Sequence, residues 1–456
     1  MNRDKARITS AQLIPLSFII AILVGALLLM LPFATADGES TDILTALFTS
    51  TTSVCVTGLV VVDTFSHWTI FGKTVILILI QLGGLGIITV TSALMLFVHK
   101  KMSLKSRLLI HDAFNLNTIH GLLRFLRRVV KSTFAVEGMG ALLYMTVFIP
   151  KFGVAEGIWQ SVFTAVSAFC NAGLDVLGPD SLISYNSNPL ILIVTMALIV
   201  IGGLGYIVWF NTARTVRVGI KKRYSPATTL RRLSEHTKLV LCLTAFFILF
   251  GAVLIFIFEY DNPDTIGRMS LGGKILNSFF QSVTLRTAGF SSVSQGALRG
   301  SSALLGCLFM FIGGSPMGTA GGVKTVAFFV IAVNVLSFIE NRDETVIFDR
   351  RVPAALIRKA TAIITVSAVI LIILLIALVA LEDIPALDAL YEMASAIGTV
   401  GLSRGITPSL GGAGRILIII GMYLGRIGPI SMALFFNTGA PAENSISVTE
   451  GKFIVG

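Results

Sequence analysis

The chain has 456 residues, 54% of them hydrophobic and 13% charged, with a net charge of +11 at pH 7 and a mean hydropathy of +0.87. That composition excludes an ordinary soluble domain and puts the chain in a bilayer. It also speaks against a nucleic-acid partner, because the basic residues fall between apolar runs with no reading helix or aromatic platform beside them.

In chain order, an apolar run at 14–33 is followed by a short semi-apolar piece at 43–52 and a second run at 68–98. The triplet returns as 130–150, 159–169 and 188–211, as 237–258, 276–285 and 302–335, and as 360–381, 387–397 and 414–436. Each long run reaches the roughly 20 residues a helix needs to cross a membrane; no short piece does. The first run leads into more membrane rather than a small-residue cleavage site, so it is expected to be retained. Non-helical backbone at membrane depth survives only when buried in protein or lining water. Each short piece is therefore predicted to be a pore helix followed by a re-entrant loop.

Behind every short piece stands the same pattern: Val56-Thr57-Gly58-Leu59, Asn171-Ala172-Gly173-Leu174, Thr287-Ala288-Gly289-Phe290 and Thr399-Val400-Gly401-Leu402. The four glycines lie 115, 116 and 112 residues apart, a period that marks one module repeated four times. Two crossings plus one re-entry per module keep all four in the same orientation. The predicted fold is thus an all-α polytopic membrane protein of four parallel helix–pore loop–helix repeats, with eight transmembrane helices and four pore helices. They have pseudo-four-fold symmetry around a central pore. The repeats are expected at 1–99, 100–212, 213–340 and 341–440, with a tail at 441–456.

Converging glycine loops suit replacement of an ion's hydration shell by backbone carbonyls. Carbonyls aimed the same way along a narrow pore need conformations that glycine adopts without strain. Val56, Thr57, Asn171, Ala172, Thr287, Ala288, Thr399 and Val400 would supply them, with Gly58, Gly173, Gly289 and Gly401 permitting the turn. Cys55 belongs to the first stretch. Each pore helix would turn its partially negative end toward the axis and favour a cation there.

A second echo follows in each repeat: Gly83-Gly84-Leu85-Gly86, Gly202-Gly203-Leu204-Gly205, Gly313-Gly314-Ser315-Pro316 and Gly425-Arg426-Ile427-Gly428. The third copy opens the run Gly313-Gly314-Ser315-Pro316-Met317-Gly318-Thr319-Ala320-Gly321-Gly322-Val323-Lys324-Thr325. Each glycine costs a helix about 1 kcal/mol and proline about 3 relative to alanine, so this span is predicted to break into two half helices. Arg426 stands where the other repeats have glycine. Arginine at mid-membrane usually pairs with backbone carbonyls, and Arg426 is expected to latch the broken loop across the pore.

Lys and Arg concentrate at 99–131 and 212–238, whereas acidic residues flank the pore pieces. By the positive-inside rule the pore loops face outward. For the basic loops, contact with anionic lipid and docking of a cytosolic partner both stay open. Arg286 is expected to point behind its loop, toward Glu392. Cys55, Cys170, Cys242 and Cys307 read as small buried residues. His67, His99, His111, His120 and His236 lack metal-ligand spacing. The glycine-rich run lacks the Gly-Lys-Ser/Thr ending of a phosphate loop, and no convergent nucleophile, base or metal cluster argues for an enzyme. An alternating-access carrier is the alternative to a pore, but parallel repeats argue against it.

The four loop patterns, the 55–59 and 286–290 stretches and the broken third inner helix make the chain resemble the Trk/Ktr/HKT superfamily of potassium transporters over essentially its whole length. Within it the similarity is to the shorter KtrB-type subunits. The resemblance implies potassium as the transported ion, with sodium dependence, and no organic cofactor. Glycine in the first filter, Gly58, goes with potassium, where serine is associated with sodium in plant relatives. It further implies an intramembrane gate formed by Gly313, Gly314, Ser315, Pro316, Gly318, Thr319, Gly321, Gly322 and Lys324 with Arg426. A homodimer, a cytosolic ring of RCK/KTN-type nucleotide-binding subunits, and residence in a bacterial cell membrane with both termini cytoplasmic complete the expectation.

Overall fold

Short polar side chains start several of the predicted helices. Asp42 accepts from the Leu44 and Thr45 amides, Asn188 from Leu190 and Ile191 just ahead of Pro189, and Ser270 from Gly273. They satisfy amides that have no partner inside the helix. The computed structural model describes residues 10–86 and 122–428. The first repeat comprises α1 (Ser10–Leu29), α2 (Ile43–Val54) and α3 (Ile70–Leu85), and the second α4 (Leu122–Phe152), α5 (Val154–Cys170), α6 (Pro189–Leu204) and α7 (Tyr206–Lys222). The third comprises α8 (Glu235–Glu259), α9 (Leu271–Thr284), α10 (Gly300–Ile312) and α11 (Thr325–Ile339). A two-residue hairpin, β1 (Val346–Ile347) with β2 (Arg350–Arg351), leads to the fourth, α12 (Ala354–Leu381), α13 (Ala386–Gly398) and α14 (Gly412–Ile427). The expected continuation of the second run past residue 86, His99, His111 and His120, the end of the last run and the tail at 441–456 lie outside the described residues.

Among the described residues α4, α8 and α12 are each long and apolar enough to cross a membrane, and α6 with α7 meets that test only when the two are taken together across a sharp bend. The pore helices α2, α5, α9 and α13 are buried at their C-terminal ends. Several of their hydroxyls bond back one turn, as Ser53 does to Thr49, Ser161 to Gly157 and Ser278 to Lys274, and others reach the neighbouring outer helix, as Ser50 does to Ile22 O and Ser282 to Ile248 O. Three large apolar clusters straddle the repeat boundaries. One joins repeats one, two and four, another two and three, and another three and four. The packing therefore closes on itself.

The structure departs from the sequence reading at the inner helices. Only the third was expected to break, yet α6 and α7 meet at 99° about Gly205, with φ 91° and ψ 139°. Gly86 and Gly428 end α3 and α14 in the same conformation, at 82°/128° and 84°/145°. In the third repeat that conformation belongs to Lys324, at 85°/129°, after a loop over 313–323. The conformational counterpart of the break glycines is thus Lys324 and not the Gly313-Gly314-Ser315-Pro316 segment. A glycine break is legible only through its φ and ψ, and the sequence does not print them. A smaller correction concerns Cys242, which is exposed, unlike the buried Cys55, Cys170 and Cys307. It shares a face of α8 with exposed Phe246, Leu249, Val253 and Ile257, as a lipid-facing stripe would.

Candidate ion pathway

Each pore helix ends by handing its last carbonyls to the loop. The Thr57 amide donates to Thr52 O (2.8 Å), Ala172 to Ser167 O (2.8 Å), Ala288 to Thr284 O (3.0 Å) and Val400 to Ser395 O (2.8 Å). Two side chains reinforce this: Thr52 Oγ1 accepts from the Gly58 amide at 2.9 Å and Ser395 Oγ from Gly401 at 3.0 Å. In the third loop Thr284 Oγ1 donates instead to Phe290 O at 2.6 Å. These helix-end hydroxyls were not singled out from sequence. Their signal was a hydroxyl six residues before the glycine, present at Thr52, Ser167 and Ser395 and replaced by Val283 in the third repeat.

All four loops share one backbone rhythm. Val56, Asn171, Thr287 and Thr399 have φ of 54°, 58°, 72° and 49°, and Gly58, Gly173, Gly289 and Gly401 have 100°, 66°, 85° and 95°. A left-handed residue, an intervening one and a left-handed glycine turn successive carbonyls toward the same side. Four non-glycine residues in this region cost on the order of 1 kcal/mol or more each, which the buried pore-helix contacts offset. Cys55, by contrast, is a right-handed cap with φ −78°; it precedes the turn and is not part of it.

The loops form a closed ring. A Cβ placed on Gly58 would point at Ala172 O, one on Gly173 at Ala288 O, one on Gly289 at Val400 O and one on Gly401 at Thr57 O, each at less than 3.0 Å. Every one of these glycines thus faces the carbonyl preceding the glycine of the following loop, and the fourth returns to the first. Of the eight carbonyls expected from the sequence, those of Thr57, Ala172, Ala288 and Val400 are brought together at this ring.

Directly against this ring lies the 313–323 loop. Its base is closed by Lys324 N to Ile312 O (2.9 Å), Thr325 N to Gly314 O (2.9 Å) and Gly314 N to Gly321 O (3.2 Å). The Gly321 amide donates to Thr287 Oγ1 of the loop after α9 at 3.1 Å, and Thr319 Oγ1 to Phe169 O at the end of α5 at 3.0 Å. Ser315 and Thr319 amides donate to the Gly203 and Gly202 carbonyls, and Met317 O accepts from the Tyr206 amide at the head of α7. Gly318 fits flat against Gly202 and Gly203, and Gly322 against Gly313; Pro316 lies over Gly205. Two cations hold the loop. Lys324 Nζ donates to Ala320 O (2.7 Å) and Gly321 O (3.2 Å). Arg426 donates through Nη1 to Thr319 O (2.8 Å) and through Nη2 to Gly83 O (2.6 Å). The expected reach of Arg426 to the loop is therefore present. A cavity of about 140 Å3, lined by Gly321, Lys324, Ser367, Ile397 and Arg426 among others, separates the loop from α14.

Two expectations near the ring need correction. Arg286 points behind its loop, but its Nη2 donates to Thr244 of α8 at 3.4 Å, and Glu392 is bonded to Thr407 instead. The charge pair in this region is Arg404 with Asp388 at 2.5 Å; Arg404 also donates to Gln295 O and Leu298 O, tying the exits of the third and fourth loops. Sequence reading also passed over Glu137. Buried on α4, it accepts from Gln81 Nε2 at 3.1 Å and lies beside Cys170, the last residue of α5. A single acid in an otherwise apolar run, as Glu137 is in 130–150, was its only sequence signal.

The comparisons agree with this architecture. The family described as "TrkH: Cation transport protein" matches residues 5–448. The chain is 37% identical to "Ktr system potassium uptake protein B" of Bacillus subtilis over the full length of both. It is 36% identical to "Potassium/sodium uptake protein NtpJ" of Enterococcus hirae, over 94% of this chain and 92% of that protein. The crystal structure of the potassium transporter TrkH from Vibrio parahaemolyticus superposes with a TM-score of 0.73 at 15% identity, covering 96% of this chain and 87% of that one; this likeness is one of fold. The chain belongs to the TrkH family of cation transport proteins and is an ion transporter, not an enzyme.

Proposed function

We propose that this chain is the ion-conducting subunit of a potassium uptake system. The observation that carries the reading is the cyclic contact of Gly58, Gly173, Gly289 and Gly401 with the carbonyls of Ala172, Ala288, Val400 and Thr57. Four loops so arranged offer rings of carbonyl oxygens in place of a hydration shell, at the negative ends of four helices. Asn171, Thr287 and Thr399 carry polar side chains at the position that Val56 holds in the first loop. The relatives named for potassium, and for potassium with sodium, supply the ion and favour sodium dependence.

The 313–323 loop is the gate in this reading: it crosses beneath the ring and is clamped by Lys324 and Arg426. The modules are 1–99, 100–212, 213–340 and 341–440, in a bacterial cell membrane with both termini cytoplasmic. A relative named as protein B of a system favours a separate regulatory subunit, here a cytosolic RCK/KTN-type ring on a homodimer of pores. The test is potassium uptake, with and without sodium, in a bacterium lacking its own uptake systems. Growth rescue at low potassium is expected; a chain that reaches the membrane yet restores nothing beside an RCK-type partner overturns the reading.

A further inference from the structure

We propose that the groove between α4 and α7 is a binding site for the phosphate headgroup of an anionic phospholipid, and that its occupant steadies the helix on which the 313–323 loop rests. The groove, about 370 Å3, is lined by Arg124, Phe125 and Arg128 of α4 and by Ile207 and Phe210 of α7.

Four observations carry the site. Arg124 and Arg128 are one helical turn apart on one face, both exposed, and neither has a carboxylate partner among the described residues. Two such guanidiniums can grip a phosphodiester from both sides with paired N–H donors. The groove's other wall is apolar: the Phe125 and Phe210 rings meet edge to face at 5.5 Å, giving an acyl chain a surface below the headgroup. Depth is the third. With 31 residues, α4 extends about 46 Å, more than the roughly 30 Å of hydrocarbon. Its arginines occupy the first two turns, at the end remote from its junction with α5, which places them at headgroup level. Fourth, α7 leaves α6 at 99° and carries Arg214, Arg217, Lys221 and Lys222 together with exposed Val216 and Ile220. Such a mixed surface suits a helix lying in the membrane interface. A positive-inside bias explains the arginines' side of the membrane but not an aromatic-walled groove beneath them.

The link to the loop is short. The Tyr206 amide, first in α7, donates to Met317 O at 3.2 Å, and Ile207 and Phe210 follow within one turn. A lipid seated against those two residues holds the helix that supports Met317. The effect on flux rests on the reading of 313–323 as the gate; the binding itself does not.

The experiment uses the full chain purified from membranes and returned to phosphatidylcholine vesicles with or without phosphatidylglycerol. Retained phosphatidylglycerol is measured by native mass spectrometry and rubidium flux in the vesicles. For Arg124→Gln/Arg128→Gln, each lost charge is expected to weaken phosphatidylglycerol retention about five-fold, on the scale of one arginine at an anionic surface. The flux difference between the two vesicle types should shrink with it, while Arg350→Gln/Arg351→Gln in the β1–β2 hairpin behaves as wild type. Unchanged retention in the double variant overturns the site. A change of oligomeric state in place of lipid loss also overturns it and assigns the groove to a second copy. Lost retention with an unchanged flux difference keeps the site and overturns its coupling to the loop, and an Arg426→Gln protein without flux in either vesicle would count against the gate reading while retention still tests the site.

Discussion

The Arg426 guanidinium on α14 donates to Thr319 O at 2.8 Å and to Gly83 O at 2.6 Å, so one side chain of the fourth repeat ties the third repeat's loop to the first repeat's inner helix. Hydrogen bonds from a charged donor contribute about 1.5 to 3 kcal/mol each. Arg426→Gln is therefore expected to raise resting rubidium flux about tenfold or more, with Arg426→Lys in between. Equal fluxes in all three proteins would remove Arg426 from the gate.

Lys324 permits a sharper separation of backbone from side chain. It holds a φ of 85° and clamps Ala320 O and Gly321 O. Glycine keeps that backbone at less strain, whereas alanine keeps the strain and loses the clamp. Both Lys324→Gly and Lys324→Ala should raise resting flux, and thermal unfolding in detergent should find the glycine variant the more stable. The opposite order would mean that φ at 324 is not a constraint.

In the ring of four loops every glycine meets a neighbouring carbonyl. The hydroxymethyl group of Gly58→Ser would displace Ala172 O, and the methyl of Gly401→Ala would displace Thr57 O. Each is expected to lower potassium uptake at least tenfold and to reduce the preference for potassium over sodium, read by competition uptake. A variant of full rate and selectivity would place the selective step elsewhere.

The loop leaving the second filter supplies a pH test. Burial pushes the Asp175 carboxyl up from 3.8 to about 6, against a lowering bond from the Leu177 amide. The folded state therefore holds this proton more tightly than the unfolded one. The group is neutral in both states below its unfolded pKa, and its charged form costs folding stability as pH rises through about 6. Asp175→Asn should raise the unfolding temperature at neutral pH and leave it unchanged near pH 3. A rise of equal size at both would refute the assignment.

Much of this was legible in the residues. Apolar runs and glycine spacing located the pore helices α2, α5, α9 and α13, because a half-length piece before a glycine has few structural options in hydrocarbon. Proline and five glycines in 313–325 announced a broken span, and an arginine in an apolar run announced a carbonyl partner. Arg286 marks a limit of what the residues alone specify. Its charge required a partner, but choosing Thr244 over Glu392 depends on which face of α9 meets α8, and that is a fact of packing. Glu137 escaped notice for the opposite reason: one acid among apolar residues forms no pattern until Gln81 and Cys170 are seen beside it.

By itself, then, the sequence determined the solvent, the four-fold repetition, the loops behind the half-length helices and the break in 313–325, since hydropathy, period and glycine content act locally along the chain; the break at Gly205 it did not show. Only the tertiary structure decided that the four glycines close into one ring, that Lys324 and not Gly313 takes the break conformation, and that Arg426 reaches Thr319 rather than any other free carbonyl. Those outcomes join residues from different repeats, and their distances exist only once the repeats have packed.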